Sequence, residues 1–299
     1  MKVDFRLPWA PSRMTTKSNL WPGSKARATV ATAPALAQAN WAQPAAPYKI
    51  IDNTYSVGSA GLTALLIVTP KGAVLLDVGL PQNAALVEAN IVKLGFKLSD
   101  VKILLTSHGH FDHSGGLAKL KADTGATMIA AEAERYALEK GVYPGSEKVT
   151  TMNFPSVKVD RAVKDGGVVE LGGLKLTAHL TLGHTKGCTT WTWPVKDKDG
   201  SAHTALYFCS ASVAANSLVP EQYPGIVADY RHTFATARAI PGDVFLAPHA
   251  EFYDANAKQA RLGGTGPNPF IDRAGYLKVI DAQQKGFEDA LAKAKAKAK

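Results

Sequence analysis

The chain has 299 residues, 46% apolar and 20% charged, with a mean hydropathy of −0.06 and no apolar run near the ~20 residues of a bilayer-spanning helix, so a soluble globular protein without a membrane partner is expected. Its formal net charge of +9 sits at the ends: residues 1–30 carry +5 and Lys293 to Lys299 carry +4. The remaining body is neutral, which excludes a charged nucleic-acid groove, because such a groove needs Lys and Arg clustered on the folded surface.

Residues 1–40 lack hydrophobic periodicity and read as an unstructured or signal-like leader. Within it Lys25 and Arg27 precede an alanine-rich stretch closing on Ala37-Gln38-Ala39, the small-x-small pattern of a signal-peptidase site. Export to the periplasm or medium is therefore expected, with a disordered extension of a cytoplasmic protein as the alternative. The folded domain is expected over residues 41–292, followed by a basic tail at 293–299 that reads as a solvated helix end.

From Pro47 the pattern is strand-like, at Tyr48 to Ile51, Thr54 to Val57, Leu62 to Val68 and Ala73 to Asp77, each run bounded by turn residues. Gln82 to Leu94 then takes helical spacing, with Ala84, Leu86, Val87, Ile91 and Leu94 on one face. A strand at Val101 to Leu105, a Gly/His loop, a helix at Leu117 to Ala122, a strand at Thr127 to Ala130 and a helix at Glu132 to Glu139 follow. After a long loop, Tyr143 to Val157, strands return at Val168 to Leu171, Leu174 to His179, Thr189 to Trp193 and Ala205 to Cys209. A helix at Tyr230 to Ala239, a strand at Val244 to Ala247 and a last helix from about Arg273 complete the chain. Two blocks that each run from strands into helices fit two sheets packed face to face with helices outside, an α/β fold of four layers, αββα.

The chemistry concentrates in Ser107-His108-Gly109-His110-Phe111-Asp112-His113, directly after a strand, where sites are commonly built. Three histidines and an aspartate within six positions are metal-ligand types at ligand spacing. His184 and His249 also follow strand ends. Six such groups divide into two sets of three, leaving each metal open for water and substrate, as a catalytic zinc requires. His179, His203 and His232 lie in strand or polar contexts without partners and are left out. Cys188 and Cys209 permit one disulfide and define no disulfide scaffold.

His108-x-His110-x-Asp112-His113, with His184 in Gly183-His184-Thr185-x-Gly187 and His249 after a short strand, resembles the metallo-β-lactamase superfamily. The resemblance covers Trp41 to about Leu291 and is nearest to the third subclass of the class B β-lactamases. Trp41-Ala42-Gln43-Pro44, Cys188-Thr189-Thr190-Trp191-Thr192-Trp193 and Asp229-Tyr230-Arg231-x-Thr233-Phe234 are similar to it as well. It implies two zinc ions, the first on His108, His110 and His184, the second on Asp112, His113 and His249. It also implies hydrolysis of the β-lactam amide of antibiotics by a metal-bound hydroxide that Asp112 orients. Ser210 and Ser212 match serines near the substrate carboxylate, and Asp77 matches an aspartate that positions the histidine loop from behind.

A small-molecule β-lactam substrate and a monomer follow from the resemblance. The alternative is a dinuclear zinc hydrolase of another ester, lactone or thioester, such as a homoserine lactone. Those relatives place a metal-bridging aspartate after the strand ending near Cys209, and no Asp or Glu occurs between Gly200 and Val219. Cys209 is read as a buried strand residue, with a zinc ligand, as in the first subclass, as the alternative. Met152 and Phe154 in the long loop are read as an apolar wall over the site. Two departures stand out: Leu182 occupies a position where proline is common, and no cysteine occurs at Gly242 or in the last helix to form a bridge some members have.

Overall fold

The computed structural model describes residues 40–298; the leader, with Ala37-Gln38-Ala39, and Lys299 of the basic tail lie outside it. Seven strands form the first sheet in sequential order: β1 (Tyr48–Ile51), β2 (Thr54–Ser56), β3 (Leu65–Thr69), β4 (Gly72–Leu76), β5 (Val101–Leu105), β6 (Thr127–Ala131) and β7 (Arg161–Val163). β1 to β4 pair antiparallel, and β4 to β7 parallel. The change follows from the connections: the parallel strands are linked through α1 (Ala84–Lys93), α2 (Phe111–Ser114) with α3 (Leu117–Thr124), and α4 (Arg135–Lys140).

The second sheet runs β12-β11-β10-β9-β8, from β8 (Val168–Leu171), β9 (Leu174–Leu180), β10 (Thr189–Lys196), β11 (Ala202–Tyr207) and β12 (Val244–Leu246). All its pairs are antiparallel except β11 with β12, between which α5 (Ile226–Thr236) crosses over. α6 (Ala255–Gln259) and the 25-residue α7 (Arg273–Lys297) follow.

The alternation of the strands explains why both faces of the first sheet are apolar. Leu65, Ile67, Val74, Leu76, Ile103 and Leu105 point into the core shared with the second sheet, while Leu66, Ala73, Leu75 and Leu104 point at α1 and α3. Trp191 and Trp193 of β10 fill the space between the sheets. Each indole N–H is satisfied across the gap, Trp191 by the Thr106 carbonyl and Trp193 by Thr54 Oγ1, both at 3.1 Å, which removes the cost of burying a free donor. On the outer face of the second sheet, Tyr230 and Phe234 of α5 stack with Phe287 of α7.

The expected αββα layering is the observed one. Differences lie at element ends and in short pieces without a periodic signal. Leu62 starts no strand of its own; it makes an isolated bridge to His249, and β3 begins at Leu65. β10 extends to Lys196, and β11 starts at Ala202 and stops at Tyr207, so Cys209 lies past its end. α5 begins four residues before Tyr230. β7 and α6 had no expectation.

Candidate metal centre

The carboxyl ends of β5, β9, β11 and β12 open on one rim of the two sheets, and each feeds one part of a shared cluster. After β5 the chain places His108 and His110 in a loop and Asp112 and His113 in α2, a single helical turn that the loop expectation did not contain. After β9 comes His184, after β11 Ser210 and Ser212, after β12 His249. The exit of β12 is tied across to the first sheet by the Leu62–His249 bridge and by Thr63 N–H donating to the Pro248 carbonyl at 2.8 Å. The two sheets therefore hold one site between them.

The structure brings the six expected groups together in two sets. One ligand-type atom from each of His108, His110 and His184 lies within 4.8 Å of the others, and the same holds for Asp112, His113 and His249. Nε2 of His108 faces Nε2 of His184 at 3.2 Å, and Nε2 of His113 faces Nε2 of His249 at 3.1 Å. Asp112 Oδ2 stands 3.3 Å from His113 Nε2 and 3.6 Å from His249 Nε2. Two nitrogens on one tetrahedral zinc, at bond lengths of about 2.0–2.1 Å, sit roughly 3.3 Å apart. The donor sets, nitrogen with one carboxylate, are those zinc prefers. The residues present fit two such ions.

Burial sets the charge of these groups. It lowers His108 and His110 well below the ordinary imidazole value, helped by the neighbouring histidines. It lowers His184 to about 4 and His249 to about 3. At His113 burial pulls the same way, but the Asp112 carboxylate overcomes it and leaves the imidazole raised. Burial pushes Asp112 up, and His113 with His249 overcomes it and holds the carboxyl well below its usual range. Neutral imidazoles and an ionised carboxylate are the forms that bind a metal.

Asp77 lies behind the loop, fully buried. Its carboxylate accepts from Ser107 N–H at 2.7 Å, Ser107 Oγ at 2.7 Å, Thr106 Oγ1 at 2.9 Å and Tyr207 Oη at 2.8 Å. Ser107 Oγ is also 2.9 Å from His108 Nδ1, so the chain of contacts runs from Asp77 to the first histidine. Asp77 adopts a φ of 58°, a conformation costly for a side chain bearing a Cβ, held here by four donors. Ser212 contributes through its backbone: its carbonyl faces His184 Nδ1 at 2.7 Å and accepts from Tyr230 Oη at 2.9 Å. A proton on Nδ1 leaves Nε2 of His184 free for a metal. Ser210 is buried and its Oγ donates to Ser212 Oγ at 3.1 Å, while Ser212 itself is half-buried. The three excluded histidines stand apart: His179 meets Thr192, His203 meets Ser201 and Asp243, and His232 is exposed.

Two sequence readings are corrected. Cys209 is buried as expected, but it lies past the end of β11 and is joined to Cys188 in the one disulfide the sequence permits, so the zinc-ligand alternative has no thiolate to offer. The pairing joins the start of β10 to the exit of β11, two antiparallel neighbours whose register the sequence could not reveal. The apolar wall expected from Met152 and Phe154 is also different, since neither lines the cleft beside the histidines. Phe154 is buried in the core under the first sheet; the loop instead sends Tyr143 over the site, stacked on His110 with ring centroids 4.4 Å apart.

Tyr143 Oη donates to Asn216 Oδ1 at 2.9 Å, and Asn216 Nδ2 donates to the His184 carbonyl at 2.9 Å. No motif marked Tyr143 or Asn216; an aromatic inside an over-long loop was the only available signal. Beyond Tyr143 a cleft of about 540 Å³ runs from His110 and His184 past Tyr136, Tyr223 and Lys186, a size suited to a small ligand. On the opposite side the Trp41 ring lies 5.2 Å from that of His249.

With this geometry in view, the comparisons decide the family. The model of the metallo-beta-lactamase superfamily matches residues 61–196. BJP-1, a subclass B3 metallo-beta-lactamase of Bradyrhizobium japonicum, superposes with a TM-score of 0.85 at 45% identity, over 88% of this chain and 100% of that one. The chain belongs to the metallo-beta-lactamase superfamily. The class B3 di-zinc enzyme LRA-12 from an Alaskan soil metagenome superposes with a TM-score of 0.78 at 32% identity, over 85% of this chain and 97% of that one. Among curated sequences, hydroxyacylglutathione hydrolase of Pseudomonas aeruginosa is 30% identical over 165 residues, 55% of this chain and 52% of that protein. The chain thus matches about half the length of such curated relatives, and nearly all of the B3 enzymes. Among the described residues no helix is long and apolar enough to cross a membrane.

Proposed function

We propose that this metallo-β-lactamase family member hydrolyses the cyclic amide of β-lactam antibiotics with two zinc ions, one on His108, His110 and His184 and one on Asp112, His113 and His249. The observation that carries the reading is the pair of three-residue groups, with facing imidazole nitrogens at 3.2 Å and 3.1 Å, on a scaffold aligned end to end with a B3 enzyme. Zinc held there supplies Lewis acidity and activates water near neutral pH.

The chain's own residues do the rest. Asp112, kept ionised beside His113, is a catalytic residue whose carboxylate accepts a hydrogen bond from the attacking water and aligns it. Tyr143 closes one side of the cleft and excludes bulk water from His110. Ser212 Oγ, half-buried and 3.4 Å from His184 Nδ1, donates to the carboxylate that β-lactams carry, and Ser210 orients Ser212. The hydrolase of another ester, lactone or thioester is disfavoured because the exit of β11, where a bridging carboxylate would stand, is occupied by the Cys188–Cys209 disulfide and by serines.

The test is zinc-loaded full-length chain assayed with nitrocefin, imipenem, a homoserine lactone and a hydroxyacylglutathione thioester. β-Lactam turnover abolished by chelation and by His184→Ala is expected. Turnover indifferent to chelation, or confined to the lactone or thioester, refutes the reading. The disulfide together with the Ala37-Gln38-Ala39 pattern supports an oxidising compartment, the periplasm or the medium, where such activity would confer antibiotic resistance. Amino-terminal sequencing of the exported form should then begin near Asn40, and gel filtration should show a monomer.

A further inference from the structure

Glu134 lies in none of the motifs above. It follows β6 in a short 3-10 turn, is 2% exposed, and among the described residues makes no salt bridge. Its Oε2 accepts from Gly109 N–H at 2.8 Å, and its Oε1 accepts from Gly187 N–H at 2.8 Å and from the Thr185 hydroxyl. Gly109 is the residue between His108 and His110; Thr185 and Gly187 follow His184. One buried carboxylate therefore clasps the two separate loops that carry His108, His110 and His184, and all three donors come from those loops.

The glycines corroborate the fit from the other side. A Cβ on Gly109 would stand 2.6 Å from Glu134 Oε2, and one on Gly187 would stand 2.7 Å from Glu134 Cγ. Both loops lack a side chain where they close on this carboxylate. Burying a carboxylate is costly unless several donors meet it, so a clasp of this kind either keeps both loops or releases both. The other group is held elsewhere: the His113 carbonyl accepts from Val78 and Gly79, and His249 is fastened by the bridge to Leu62.

We infer that Glu134 is a positioning residue that sets the zinc affinity of the His108, His110 and His184 group while leaving that of the Asp112, His113 and His249 group unchanged. The inference rests on the two-zinc reading, and the experiment separates the two. Zinc binding to the unmutated full-length chain is measured first by competition with a chromophoric chelator; a chain that takes up no zinc overturns both. Glu134→Gln is then placed in an His249→Ala background, which leaves only the first group intact, and in an His184→Ala background, which leaves only the second.

The amide keeps the shape of Glu134 but turns an N–H toward donors on one of the two loops. Affinity in the first background should fall roughly 10- to 100-fold, and in the second it should stay within about twofold. Thr185→Val, which deletes one donor and keeps the carboxylate, should cost about fivefold in the first background only. Melting of the metal-free variants is followed in parallel. Equal losses in both backgrounds, or a lowered melting temperature with zinc affinity unchanged, would make Glu134 an ordinary stabilising contact and overturn the inference. If Glu134→Gln does not fold, Thr185→Val decides, and unchanged first-group affinity in it overturns the inference equally.

Discussion

In the His108, His110 and His184 group, the nitrogens turned away from the centre are largely anchored: His184 Nδ1 faces the Ser212 carbonyl at 2.7 Å and His108 Nδ1 faces Ser107 Oγ at 2.9 Å, while His110 Nε2 has no hydrogen-bond partner among the described residues. In the Asp112, His113 and His249 group, Nδ1 of both histidines is buried without a hydrogen-bond partner among the described residues, the nearest carboxylate to His249 Nδ1 being Glu251 at 3.9 Å. Its rigidity comes from packing, with the His249 ring between those of Trp41 and Phe252 at 5.2 Å and 5.1 Å. A hydrogen bond on the outward nitrogen fixes tautomer and ring angle together, whereas packing fixes the angle alone. The same ligand chemistry is thus supported to two different standards within one cleft.

The severest test of that contrast is Asp112→Ala. The carboxylate touches both histidines of the less anchored group, so its loss should reduce kcat/KM by about 10³-fold or more, measured with nitrocefin. A loss below tenfold would mean the second group is dispensable. Next in size is the difference in zinc affinity. The anchored group should hold zinc roughly 10- to 100-fold more tightly, so graded dialysis against a chelator should remove one equivalent well before the other. His184→Ala should abolish the tight step and His249→Ala the weak one; simultaneous release of both ions would erase the distinction.

Acid sensitivity of the zinc-free chain sharpens it further. His184 and His249, lowered to about 4 and about 3, stay neutral in the folded state while the unfolded chain takes up protons below about 6.5. Each therefore contributes stability above that value that is lost as pH falls toward its folded pKa, by about 1.4 kcal/mol per pH unit. His113 is raised and acts with the opposite sign: its contribution is full below its unfolded value and is lost as pH rises through its folded one. The first group should account for most of the acid slope, read as melting temperature between pH 6.5 and 4.5 with and without His184→Ala. A flat profile contradicts it. The smallest effect is expected for Ser212→Ala. Its carbonyl, which holds His184, is kept and only the hydroxyl is lost, so KM should rise by about tenfold or less with the zinc content intact.

Much of this was readable along the chain, for reasons that differ by region. His108 to His113 crowd four ligand-type side chains into six positions, and the strands on either side, Val101–Leu105 and Thr127–Ala131, are short, largely apolar runs, so both motif and layering are local signals. Asp77 was also legible, through the resemblance to the superfamily. Glu134 and Asn216 were not, because Glu134 gains its partners from loops 25 or more residues distant and Asn216 reaches the His184 carbonyl 32 residues away. Nor was the disulfide, since two cysteines 21 residues apart gain proximity only once β10 and β11 are in register. Phe154 misled because hydrophobicity marks a residue as buried without saying beneath which sheet.

The sequence by itself determined the kinds of group available, their spacing along each loop and the periodicities that build the two sheets, because these follow from local sterics and side-chain chemistry. Only the tertiary structure decided which nitrogens face one another, which carbonyls hold them, and which single buried carboxylate joins two loops. Those depend on how four strand ends meet at one rim, and distances across that rim are set by the packing of the sheets.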